Sequence, residues 1–196
     1  RVLSPAGSKT NSIRMAGITG NVFNAPEKCA VLVMASDNGL HEEGVTPVPQ
    51  EVTRTQTENI LRGVTGVTVL AKQVGCTVRL INLGVRGVLS VSGAVDRKIA
   101  EGTKNFAKGP AMTREECLCA LNIGFEEAVR LAQEGCEIIG VGEMGICNTS
   151  TASAVLCALT DTAVRDAVGK GAGITDEQLA RKISVIRRAL AINVPD

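Results

Sequence analysis

An α/β fold is expected, with a parallel Rossmann-like sheet, helices on both faces and a small helical part. Three observations predict it. Ala30-Val31-Leu32-Val33-Met34-Ala35 is a continuous apolar run ending in Ser36-Asp37-Asn38-Gly39, the pattern of a strand buried on both faces and followed by a loop. Two further strand-like runs, Thr77 to Leu83 and Glu137 to Val141, are separated from it by helical stretches. Strands divided by helices need right-handed crossovers, which give a parallel sheet covered on both sides.

The elements follow in order. Helices are expected from about Glu51 to Arg62 and over Val67 to Gln73, ahead of the strand at Thr77. Thr113-Arg114-Glu115-Glu116 is a capping box that opens a long helix to about Gln133, ended by Gly135. The strand at Glu137 comes next, then a helix from Thr151 through Leu159. A second capping box, Thr175-Asp176-Glu177-Gln178, starts a helix that ends near Ala191. No internal repeat or low-complexity linker divides the 196 residues, so residues 1–196 are expected to form one α/β domain.

Composition narrows the function. Hydrophobic residues make up 44%, enough for a core, and a net charge of +1 offers no excess for nucleic acid or a membrane surface. With no Trp or Tyr and three Phe, there is no aromatic platform for stacking bases. No apolar run reaches the length of a membrane span, and the start shows no signal-peptide pattern. The seven cysteines form no C-x-x-C pair and His41 is the sole histidine, so a zinc site is not expected. The cysteines are expected to be small structural residues in a reducing cytoplasm.

The most informative stretch is Gly142-Glu143-Met144-Gly145-Ile146-Cys147-Asn148-Thr149-Ser150-Thr151. A strand, a glycine-bearing turn and a helix start in that order make an anion site, because the first helical N–H groups lack intrahelical partners and the dipole is positive there. Asn148, Thr149 and Ser150 supply donors, and Glu143 supplies an acceptor for sugar hydroxyls beside a phosphate. Gly169-Lys170-Gly171-Ala172-Gly173 is a second glycine-rich turn before a helix, able to close over a phosphate or carboxylate with Lys170 as a point charge. Asp37 ends a strand beside a glycine and reads as an orienting acid or as a turn former. Cys147 lies at a helix start, where a thiol acquires a lowered pKa and oxidises easily; the other reading is a small side chain in the core.

These segments resemble the nicotinate-nucleotide:dimethylbenzimidazole phosphoribosyltransferases, which build the lower ligand of cobalamin. The glycine-rich stretch from Gly142 is joined, in the family's order, by four others. They are Asp37-Asn38-Gly39 with Glu42 to Thr46 and Pro49 to Thr53, Gly102 to Phe106, Gly109 to Glu116, and Gly169 to Gly173 with Asp176-Glu177. The resemblance runs from about Gly7 to the last residue.

It implies transfer of phosphoribosyl from nicotinate mononucleotide to 5,6-dimethylbenzimidazole, with small-molecule substrates, no cofactor and a homodimer. It implies that Glu143, Gly145, Ile146, Cys147, Asn148, Thr149, Lys170, Gly171 and Gly173 bind the phosphoribosyl part. Asp37, Thr46 and Gln50 would line the base pocket. The family's general base is a glutamate in a part that continues beyond Asp196, so no catalytic base is named here. Three departures stand out: Ser4-Pro5-Ala6-Gly7-Ser8 lacks the usual lysine and Leu-Gly, Asn38 replaces a common histidine, and Cys147 replaces a common glycine. Transfer to a phenolic acceptor, or a nucleotide-binding subunit without catalysis, are the competing expectations.

Overall fold

The computed structural model describes residues 5–23 and 27–194, with backbone alone for 5–9; the Ser4 to Ser8 departure therefore falls outside the described side chains. Helix α1 (Pro5–Thr19) precedes β1 (Cys29–Ser36), and a 3-10 turn (Gly39–Glu43) leads to α2 (Val52–Leu61) and α3 (Gly66–Gln73). Then come β2 (Thr77–Gly84), β3 (Val95–Asp96), α4 (Arg114–Gln133), β4 (Ile138–Met144), α5 (Asn148–Leu159), α6 (Val164–Ala167) and α7 (Asp176–Asn193).

The strands lie in the order β3-β2-β1-β4 and every pairing is parallel. Alternation along β1 divides the core, as the period of two requires. Ala30 and Leu32 pack with Ile81 of β2 and with Ile123 and Leu131 of α4 on one face. Val33 and Ala35 pack with Leu80, Val85 and Ile60 of α2 on the other. A second body of packing joins α5, α6 and α7 through Ala154, Val168 and Ile186, which is the small helical part.

Both capping boxes form. Thr113 Oγ1 accepts from Glu116 N at 3.1 Å, and Thr175 Oγ1 accepts from Gln178 N at 3.2 Å. Each satisfies a backbone donor that the helix cannot, so Thr113→Ala and Thr175→Ala should each cost about 1 kcal/mol in urea unfolding.

Three expectations are corrected. Helix α5 starts at Asn148, three residues earlier than Thr151, so Asn148, Thr149 and Ser150 form its first turn. Helix α1, the short helix α6 and the two-residue strand β3 are not marked by the apolar periodicity of the sequence. The cysteines are not uniformly small buried thiols. Cys29 and Cys76, one residue ahead of the paired Ala30 and Thr77, form a disulfide, while Cys117 and Cys119 are exposed. Cys136 and Cys147 are buried as expected. Thiol titration should accordingly find Cys117 and Cys119 fast, Cys136 and Cys147 slow, and two further thiols only after reduction.

Among the described residues no helix is long and apolar enough to cross a membrane, and no cluster of His, Cys, Asp or Glu is grouped to hold a metal.

Candidate functional site

The site is built at the carboxyl ends of β1 and β4, where ligands bind in parallel sheets. The turn after β4 is fastened to its neighbours at one residue, Ile146. Ile146 N donates to Thr53 Oγ1 of α2 at 3.0 Å, and Ile146 O accepts from Asn38 Nδ2 at 3.0 Å. Asn38 Oδ1 in turn accepts from Thr151 Oγ1 at 2.9 Å. Asn38, where a histidine is usual, thus holds the turn on both sides of Cys147. Gly145 is buried against β1, and a Cβ there would meet Ser36 O at 2.1 Å.

Cys147 stands at φ 71, in the left-handed region that costs a side-chain-bearing residue about 1–2 kcal/mol. Its side chain packs with Leu40, Val45, Ala107, Val185 and Ala189. Burial pushes the thiol up to about 11, with the charge of Lys182 pulling the other way. This overturns the expectation of a lowered pKa: desolvation outweighs the helix terminus, and Cys147 belongs to the core.

The expectation of free N–H groups at the start of α5 is also corrected. Asn148 N donates to Gly145 O at 3.0 Å, Thr149 N to Asn148 Oδ1 at 2.8 Å, and Ser150 N to Cys147 O at 2.9 Å. The positive charge at this end comes instead from Lys182 of α7. Lys182 is 3% exposed, and Nζ donates to Thr149 Oγ1 at 2.8 Å and to Gly169 O at 3.0 Å. Among the described residues no carboxylate reaches ion-pair distance of it. Desolvation holds its pKa below the ordinary lysine value. Lys170 lines the same cleft but pairs with Asp176 at 2.7 Å.

The expected residues fall into two neighbouring hollows and one buried network. A cleft of about 60 Å³ gathers Thr46, Ile146, Cys147, Asn148, Thr149 and Lys170 around Lys182. That volume is about two waters' share of the liquid, the size of one oxyanion head. A groove of about 340 Å³ on the far side of Thr149 gathers Glu143 and Gly171 with Ala152, Ser153 and Leu156. Asn148 Nδ2 holds both carboxylate oxygens of Glu143, at 2.8 and 2.7 Å, so the acid is fixed beside the groove.

Gly171 closes the turn over Thr149: its φ is 63, and a Cβ there would lie 2.9 Å from Thr149 Oγ1. Gly173 is also left-handed, at φ 80, but touches nothing that a Cβ would disturb.

Asp37 and Gln50 stand apart from that cleft. Asp37, 2% exposed, accepts from Gln50 Nε2 at 2.5 Å and from Arg86 N at 2.8 Å. It orients Gln50 and ties the end of β1 to the loop after β2. Thr46 accepts from Val48 N at 3.3 Å as well as facing the cleft. His41 donates to Val48 O at 2.8 Å and fastens this loop.

Lys182 is the residue that motif reasoning missed. A usable signal was present, because Lys182, Val185, Ile186 and Ala189 recur at the spacing of one helix face, and that face is buried.

Comparison with known proteins gives the family and the fold. A phosphoribosyltransferase family model matches residues 9–196. The nicotinate-nucleotide:dimethylbenzimidazole phosphoribosyltransferase of Acetivibrio thermocellus is 44% identical over 93% of the chain and 52% of its own length. That of Clostridium perfringens strain 13 is 47% identical over 91% of the chain and 50% of its own. The crystal structure of CobT from Thermus thermophilus superposes with a TM-score of 0.89 at 39% identity, covering 97% of this chain and 58% of that one. The chain spans about half the length of the curated relatives it matches. It belongs to the nicotinate-nucleotide:dimethylbenzimidazole phosphoribosyltransferase family.

Proposed function

We propose that this chain binds the phosphoribosyl group of nicotinate mononucleotide and supports its transfer to 5,6-dimethylbenzimidazole. The products are alpha-ribazole phosphate and nicotinate, the route to the lower ligand of cobalamin. The observation that carries the reading is Lys182, a buried ammonium with no acidic partner among the described residues, facing an oxyanion-sized cleft. A charge buried without a counter-charge is costly, and a bound phosphate removes that cost.

The roles follow from the two hollows. The phosphate sits in the small cleft with Lys182 and Thr149; Thr46, expected in the base pocket, lines this cleft instead of joining Asp37 and Gln50. The ribose passes over Thr149 toward Glu143, whose fixed carboxylate accepts from the sugar hydroxyls and offsets the charge of an oxocarbenium-like sugar. The bond from the anomeric carbon to the pyridinium nitrogen breaks with its electron pair going to the ring, so nicotinate leaves without a general acid. The acceptor's ring nitrogen attacks from the opposite side and inverts that carbon. The attacking nitrogen is the unprotonated one, and the N–H proton of the other ring nitrogen passes to a base, which the resemblance assigns to a glutamate beyond Asp196. Holding both partners at attack distance is the remaining contribution. Asp37 and Gln50 act near the acceptor, Asp37 by fixing the amide of Gln50.

A homodimer is part of this proposal. Leu118, Leu121 and Phe125 recur at helical spacing on α4 and are exposed, which supports an apolar interface.

The test is a product assay on the full-length polypeptide, with mass spectrometry following nicotinate mononucleotide and dimethylbenzimidazole. Riboside phosphate and free nicotinate are expected, with turnover lowered roughly 100-fold in Glu143→Gln. Absence of product, or product from phenol alone, would contradict the reading.

A further inference from the structure

Two of the recurrent segments, Gly102 to Phe106 and Gly109 to Glu116, take no part in the phosphate cleft. They enclose a separate cavity. It lies at the carboxyl ends of β1 and β2, on the side of the sheet that α4 covers, with a volume of about 180 Å³. Its walls are mostly apolar, formed by Leu83, Ile99, Ala100, Ala111, Met112 and Ala120; Glu116 also lines it, with its carboxylate held by Thr113 N at 2.7 Å. Thr103, Lys104 and Met112 also line an open cleft of about 1000 Å³ that adjoins it.

The walls are held by backbone bonds. Thr103 N donates to Asp37 O at 3.0 Å, Lys104 N to Ala111 O at 2.8 Å, and Ile99 N to Leu83 O at 2.9 Å. Backbone approach is so close that a Cβ at Gly39 would lie 2.5 Å from Lys104 C, and one at Gly102 would lie 2.8 Å from Asp37 Cβ. The cavity is therefore preformed, as small-molecule sites usually are.

The outer cleft carries an excess of positive charge. Lys108 pairs with Glu42 at 2.7 Å, and Glu101 accepts from Lys98 at 3.0 Å and from Gly87 N at 2.8 Å. Lys104 and Arg114 also line the cleft, and among the described residues neither has an acidic partner.

We propose that this cavity is a second ligand site, for a small aromatic carboxylate whose ring fills the apolar chamber and whose carboxylate meets Lys104 at the mouth. Size and charge together select that class. An apolar cavity of about 150 Å³ takes up benzene, so this one accommodates a ring with a small substituent. A ring alone leaves the cations unused, and an anion alone leaves the apolar walls unfilled. Transfer from nicotinate mononucleotide releases such an acid, but the site rests on this cavity and not on that reading.

The test is methyl NMR on the protein with benzoate, benzyl alcohol and acetate at equal ionic strength. Benzoate should give saturable shifts at Ala111, Met112 and Ala120, at least tenfold tighter than benzyl alcohol, and acetate should give none there. Lys104→Met, at an exposed position, should reduce benzoate affinity at least tenfold and leave benzyl alcohol unchanged. Excess inorganic phosphate, which reports on the Lys182 cleft, should leave the benzoate shifts in place whether or not the phosphoribosyl reading holds. Equal affinity for benzoate and benzyl alcohol, or an unchanged affinity in Lys104→Met, would overturn the proposal.

Discussion

Replacing Lys182 by methionine should make the chain more stable and a poorer binder of phosphate at the same time. The side chain is 3% exposed, and its ammonium has hydroxyl and carbonyl acceptors but no counter-charge among the described residues. Methionine keeps most of the volume and removes the buried charge, so unfolding free energy should rise by about 1–3 kcal/mol. A charge-assisted hydrogen bond contributes about 1.5–3 kcal/mol, so inorganic phosphate should bind roughly tenfold to a hundredfold more weakly.

The pH dependence follows from the same burial. Desolvation sets the folded pKa of Lys182 below its unfolded value. The cost in stability is full below the folded pKa and is relieved as pH rises through it toward the unfolded one. A bound phosphate favours the charged amine. Affinity should therefore fall as pH climbs through that lowered pKa, earlier than an exposed lysine would dictate. Titration calorimetry across alkaline pH, with Lys182→Met as the flat control, measures this. A lysine kept only for structure would give no opposition between stability and binding.

Gly145→Ala should be the most damaging single methyl in the chain's β4–α5 turn. The added carbon would lie 2.1 Å from Ser36 O and 2.7 Å from Asn38 Nδ2. Ser36 O belongs to the end of β1 and cannot yield without disturbing the sheet. The turn would have to move instead, and its bonds to Thr53 and Asn38 at Ile146 would be lost. Overpacking plus broken buried bonds should cost roughly 3 kcal/mol or more, read from thermal or urea unfolding. Phosphate binding should fall with it, because Thr149 and Asn148 are placed by this turn. Gly142→Ala is the contrast: a Cβ there meets nothing within 4 Å, so its effect should be small.

Much of this fold was legible because local signals and tertiary context agree. The apolar run of β1 needed a covered sheet, and the Thr113 and Thr175 boxes marked helix starts that the structure keeps. The start of α5 was not legible. Asn, Thr and Ser compete with the backbone for hydrogen bonds, so Asn148 to Ser150 read as turn although they are helical. Strand β3, Val95–Asp96, is too short to show a period.

The Cys29–Cys76 pair spans 47 residues and depends on register between two strands, which spacing alone does not supply. At the site, the glycine turn was foreseeable from sequence order, but the Glu143–Asn148 pair was not, because each side chain read as a ligand contact. Lys182 hid in a basic helix beside Arg181, Arg187 and Arg188, where a lysine reads as a solvated charge until the buried face is traced.

The most direct measurement compares nicotinate mononucleotide with its dephosphorylated nucleoside by titration calorimetry, on wild type and on Lys182→Met. The mononucleotide should bind at least tenfold more tightly than the nucleoside, and the difference should largely vanish in the variant. Equal affinity of the two ligands, or a difference that survives the loss of Lys182, would contradict the assignment of this cleft to the phosphate.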